Sequence, residues 1–236
     1  YADDYKRTKP EEKRRLAETL ATAARKADAS PATQYVLLRE VAQLAAQAKA
    51  VKPAVKALAD LADRFSGPAV VADGNAVLAL IARSVKEVED CVTLASAQCD
   101  LANVAILTED YDTAMALLTA AGASAGKGKN AELAKRIKER STDVAVWQAE
   151  GRSAVGARAV LAKQPDDPAA SLALGRYLCL VKDNWPEGLP LLQKGGDASL
   201  RELAEAELKS PAEALAAFAL AEGWWKLMDK PDYKKY

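Results

Sequence analysis

Residues 98–121 read QCDLANVAILTEDYDTAMALLTAA, and this stretch decides the fold. Leu101, Ala102 and Ala105 lie on one helical stripe, and Ala114, Leu118 and Ala121 lie on a second. Between them Asp110-Tyr111 supplies the turn, with Asp110 placed to cap the helix that follows. The spacing predicts two antiparallel helices joined by a tight turn, in which the small residue Ala102 lets the two axes approach closely. Val41, Ala42, Ala45, Ala54, Leu58 and Leu61 repeat the spacing upstream. A third copy runs through Leu174, Gly175 and Leu178, and reaches Trp185, Gly188 and Leu191 only after one inserted residue. A helix pair of this kind buries its apolar stripe by stacking on a neighbour, so repetition along the chain points to a stack of pairs.

Working outward from these pairs, Pro10 opens a first helix to about Ala27, and Ser30-Pro31 caps and starts a second that ends near Ala50. Pro53 opens a third, which Gly67-Pro68 ends. Val77, Leu78 and Ile81 mark a fourth stretch that reads either as separate from the fifth, over Val92 to Ile106, or as continuous with it. Asp110 begins a sixth. Residues 123–129 are small and polar, so they read as a flexible linker dividing an N-terminal half, 1–122, from a C-terminal half, 130–236. Asn130 caps one long central helix towards Lys163, and 164–168 stop it and cap the next. Ser210-Pro211-Ala212-Glu213 reads as a capping box for the last helix.

The 33 basic and 33 acidic side chains among 236 residues cancel, so no net field favours nucleic acid or an anionic surface. Half the residues are hydrophobic, enough for a sizeable core, yet no run approaches the ~20 apolar residues needed to span a bilayer. Good helix formers dominate, which makes the class all-α. Histidine is absent, and with it the commonest general base and metal ligand. Cys91 and Cys99 lie ~12 Å apart along one helix, too far for a disulfide. Cys179 reads as a small buried hydrophobe. No metal, cofactor or catalytic residue is expected. Gly122-Ala-Ser-Ala-Gly126-Lys127-Gly128 fails as a phosphate loop, because its glycine spacing is short, Gly128 stands where Ser or Thr binds magnesium, and no strand precedes it. The pairs Asp166-Asp167 and Asp3-Asp4 read as a helix cap and a terminal acidic pair.

The helix-pair spacing resembles the tetratricopeptide unit of about 34 residues. A right-handed α-solenoid of antiparallel pairs is the fold it implies. Two further stretches are similar to a family of exported planctomycete proteins with a tetratricopeptide-like region. One is Tyr35-Val36-Leu37-Leu38-Arg39-Glu40 after Lys9-Pro10-Glu11-Glu12. The other is Gly175-Arg176-Tyr177-Leu178-Cys179, Asn184-Trp185, Gly188-Leu189-Pro190-Leu191-Leu192, Lys194-Gly195 with Asp197, and Gly223-Trp224-Trp225. That resemblance implies a removed leader, a periplasmic or extracellular location, and a continuation past Tyr236 towards a further, lectin-like or other domain. It carries no catalytic residues.

In tetratricopeptide stacks the first helix of each pair lines a concave groove, and the three registers place Arg39, Gln43, Asn103 and Arg176 on that lining. These groups suit a peptide's carboxylates. Trp185, Trp224, Trp225 and Tyr177 read as packing residues at helix joints, with a sugar-stacking platform as the alternative. Arg176 and Asp197 invite an internal charge pair. The expected function is a non-catalytic scaffold that holds a protein or peptide partner, or its own downstream domain. A structural subunit of an extracellular or periplasmic assembly, with oligomer formation, and an accessory region of a secreted enzyme are the alternatives.

Overall fold

The computed structural model describes residues 9–26, 30–211 and 213–236. Asp3, Asp4 and Ala212 lie outside the described residues. All regular structure among the described residues is helical: α1 Pro10–Ala24, α2 Pro31–Gln47, α3 Val51–Arg64, α4 Pro68–Ala82, α5 Val88–Leu107, α6 Tyr111–Lys127, α7 Ala131–Leu161, α8 Pro168–Arg176, α9 Trp185–Lys194, α10 Ala198–Leu208 and α11 Ala214–Met228. A π-turn, Tyr177–Val181, extends α8. Two compact units divide at Ser141/Thr142, inside α7.

Helix starts follow the caps that the sequence carries. Ser30, Asp110, Asn130 and Asp167 each accept a hydrogen bond from the backbone N–H three residues on, at 3.2, 3.1, 3.0 and 2.7 Å. Asn184 and Asp197 do the same for α9 and α10. The helix ends share a second device. Lys49, Glu109, Lys129 and Asp183 sit at φ 58°, 60°, 50° and 53°, a left-handed conformation that costs a side-chain-bearing residue about 1 kcal/mol. After the first three, the next N–H reaches back to a buried alanine carbonyl: Ala50 to Ala45 and Asp110 to Ala105, both at 2.9 Å, and Asn130 to Ala125 at 3.1 Å. The residue after the left-handed one is alike in three turns: Ala50 at −90°, 81°, Asp110 at −83°, 68° and Asn184 at −96°, 69°. The turns α2/α3, α5/α6 and α8/α9 therefore share the backbone angles of these two residues.

Within the first unit, Val41, Ala42, Ala45, Ala54, Leu58 and Leu61, and likewise Leu101, Ala102, Ala105, Ala114, Leu118 and Ala121, are all buried. The pairs α2/α3 and α5/α6 close on these small residues, and α3 also packs on α5. In the second unit the inserted residue is absorbed by the π-turn, since an i→i+5 turn accommodates one extra residue without ending the helix. Asn184 N–H accordingly bonds Leu178, six residues back, at 2.8 Å. Gly175 and Gly188 meet across the pair: a Cβ on Gly188 would stand 3.2 Å from the Gly175 carbonyl and 2.3 Å from Cys179 Sγ. Leu192, not Leu191, fills the buried position on α9.

Two expectations are corrected, and one left open is decided. Residues 123–127 are the last turn and a half of α6, with Ser124 and Ala125 buried, and Gly128 abuts Val92, so a Cβ there would stand 3.1 Å from its backbone nitrogen. Small residues here permit close packing where flexibility was expected. Of the two readings of the fourth and fifth stretches the separate one holds, since residues 83–87 divide α4 from α5. Ser210, at φ 46°, follows the end of α10, and α11 begins at Ala214 with Glu213 at its N-cap and no side-chain capping bond.

Candidate functional site

Within the first unit, α2 carries Arg39 and Gln43 four residues apart. Arg39 pairs with Glu40 at 3.1 Å, and Gln43 is exposed. One turn earlier the Tyr35 hydroxyl donates to Asp73 of α4 at 2.6 Å, while its ring meets Phe65 edge-on at 5.2 Å. Burial, then the hydrogen bond to Asp73, pushes the phenol up to about 12. Asn103 is exposed on α5, accepts from Arg140 at 3.2 Å and lines a cleft of about 320 Å³ with Val55, Ala62, Asp63, Leu78 and Asp100. Burial raises the Asp100 carboxyl. Neither Arg39 nor Gln43 belongs to the walls of that cleft.

A second cleft, of about 180 Å³, lies between α1, α2 and α3. Ala17, Leu38, Val41 and Ala57 give it an apolar floor, and its rim alternates Arg14, Glu18, Arg25, Lys56 and Asp60. It exists because Ala17 and Ala21, four residues apart on α1, leave room that larger side chains would fill. That spacing was the available signal, and a search for carboxylate-binding groups alone passes over it.

Arg176, in the second unit, is committed elsewhere than a groove. Its guanidinium reaches Glu150 of α7 at 2.9 Å and also the Tyr236 hydroxyl, and lies 5.5 Å from the Tyr236 ring centre. Glu150 Oε1 further accepts from Lys235 at 2.8 Å and Tyr236 at 2.6 Å, with the Glu150 side chain 10% exposed. Burial pushes this carboxyl up, but the hydrogen bonds from Lys235 and Tyr236 and the charge of Arg176 outweigh burial and hold it below the usual range. Arg176 thus leaves the set of groove residues. Its carboxylate partner is Glu150, whereas Asp197 caps α10 and accepts the Tyr233 hydroxyl.

The aromatic set divides. Tyr177 is fully buried, and Trp185 meets Trp224 edge-on at 5.2 Å, their indole N–H groups bonding Asp183 and Glu207. Trp225 is 73% exposed and packs no joint. One residue is 100° of rotation on a helix, so neighbouring tryptophans face different surroundings. Cys91 and Cys179 are buried thiols, the latter pushed up to about 12 by burial. Among the described residues no helix is long and apolar enough to cross a membrane, and no group of three acidic or cysteine side chains is placed to hold a metal ion. Compared with known proteins, the chain matches no family model, no curated protein and no solved structure.

Proposed function

We propose that this chain is a non-catalytic scaffold of tetratricopeptide-like helix pairs, stacked in the right-handed sense of that repeat, which binds a protein or peptide segment or a domain downstream of itself. The repeated left-handed turn and the buried alanine stripes of α2/α3 and α5/α6 support the repeat reading. The observation that carries the binding reading is the cleft between α1 and α3, whose apolar floor and rim of both charge signs suit an amphipathic segment with flanking charges. Arg39, Gln43 and Asn103 remain as polar contacts outside that cleft. Membership of the exported family and an exported location rest on the quoted motifs alone. The proposal is tested by selecting peptides from a displayed library and rebinding them to Ala21→Trp, which fills the cleft. Loss of binding is expected, and peptides that bind the filled variant equally well overturn the reading.

A further inference from the structure

Helix α11 shows an apolar surface that the fold does not use. Its sequence, ALAAFALAEGWWKLM, contains one buried side chain, Leu227. Gly223 lies against Leu203, Trp224 bonds Glu207, and Leu227 enters the core with Leu200 and Ala204, so the C-terminal half holds the helix down. On the outer side Leu215 is 84% exposed, Phe218 70% and Trp225 73%, with Ala214 and Ala221 exposed between them. Together they offer on the order of 500–700 Å² of apolar surface, at or above the largest patch of an ordinary monomer and close to one side of a small specific interface.

We propose that this face pairs with α11 of a second copy of the chain, in antiparallel sense. The outward stripe Ala214, Phe218, Ala221, Trp225 has the 4-3-4 spacing of a two-helix seam and alternates small with large. Reversing one helix about the midpoint between residues 219 and 220 places Phe218 opposite Ala221 of the second copy and Trp225 opposite Ala214. Both contacts fall on the same axis, so the face is complementary to itself, as a two-fold interface requires. Parallel pairing would set each aromatic on its own copy and each alanine on alanine, leaving gaps. The Glu222–Lys226 ion pair at 2.8 Å gives the seam an edge carrying both charge signs, which suits a copy of the same helix reversed against it.

The inference rests on α11 and not on the α1–α3 cleft, so its failure leaves peptide binding standing. Sedimentation equilibrium of the full chain should show a monomer–dimer equilibrium with Kd on the order of 10 µM, in keeping with the small area. Phe218→Glu should raise Kd at least ~10-fold with an unchanged far-ultraviolet spectrum, while Ala219→Glu, off the seam, should leave Kd within ~3-fold. A chain that remains monomeric, a dimer indifferent to Phe218→Glu, or a monomer that instead binds phosphatidylcholine vesicles through Trp225 overturns the proposal. Equal loss with Ala219→Glu overturns the register.

Discussion

The Ser124 hydroxyl donates to the side-chain carbonyl of Gln98 at 2.9 Å, and both residues are buried between α5 and α6. A stretch rich in glycine, alanine and serine thus ends in a packed polar contact. Ser124→Ala strands a buried acceptor and should cost about 1–3 kcal/mol, whereas Gln98→Leu with Ser124→Ala should recover part of that loss. Urea denaturation of both variants checks this. Two curves that overlay wild type would show that the contact contributes nothing.

The left-handed turns give a stabilising prediction. Glycine adopts the φ of 58°, 60° and 50° at Lys49, Glu109 and Lys129 without the Cβ clash. Each change to glycine should add about 0.5 kcal/mol after its larger unfolded-state entropy is counted, and the three should sum, since they sit in three separate turns. Thermal melting of the triple variant should rise; a lower midpoint argues against strain at these positions.

Glu150 gives a pH dependence. Its carboxyl titrates lower in the folded chain than in the unfolded one, so its contribution is present above the ordinary carboxylate range and is lost as pH falls through the folded value. Glu150→Gln should lower stability at neutral pH by about 2–3 kcal/mol and flatten the acid limb of stability against pH. An unchanged acid limb would mean that the cluster with Arg176, Lys235 and Tyr236 does not form in solution.

The tryptophans should separate in the same assay. Trp185→Ala breaks the edge-on contact with Trp224 and should cost about 2–3 kcal/mol as a half-buried aromatic, while Trp225→Ala should change the monomer by less than about 0.5 kcal/mol. Similar losses at both sites would contradict the exposure of Trp225.

Much of the helix count was legible because caps and periodicity are local. Ser30, Asp110, Asn130 and Asp167 carry their oxygen to a backbone N–H within one turn, whatever the rest of the chain does. What failed depended on partners distant in sequence. Gly128 reads as flexible until Val92 is set against it, and Arg176 reads as a groove residue or as the partner of Asp197 until Glu150 and Tyr236, 26 and 60 residues away, take its guanidinium. The inserted residue after Leu178 was visible as a mismatch, but its solution as a π-turn was not, because a kink or a loop would also absorb it. The cleft between α1 and α3 arises from missing side-chain volume, which a search for chemically active residues does not see.

The scaffold reading is tested most directly by mapping a library-selected peptide onto the chain through backbone amide shifts. The largest changes should fall at Ala17, Ala21, Leu38, Val41 and Ala57 and should vanish in Ala21→Trp. Changes centred on Arg39 and Gln43, or on Glu150 and its partners, with the α1–α3 residues unmoved, would contradict it.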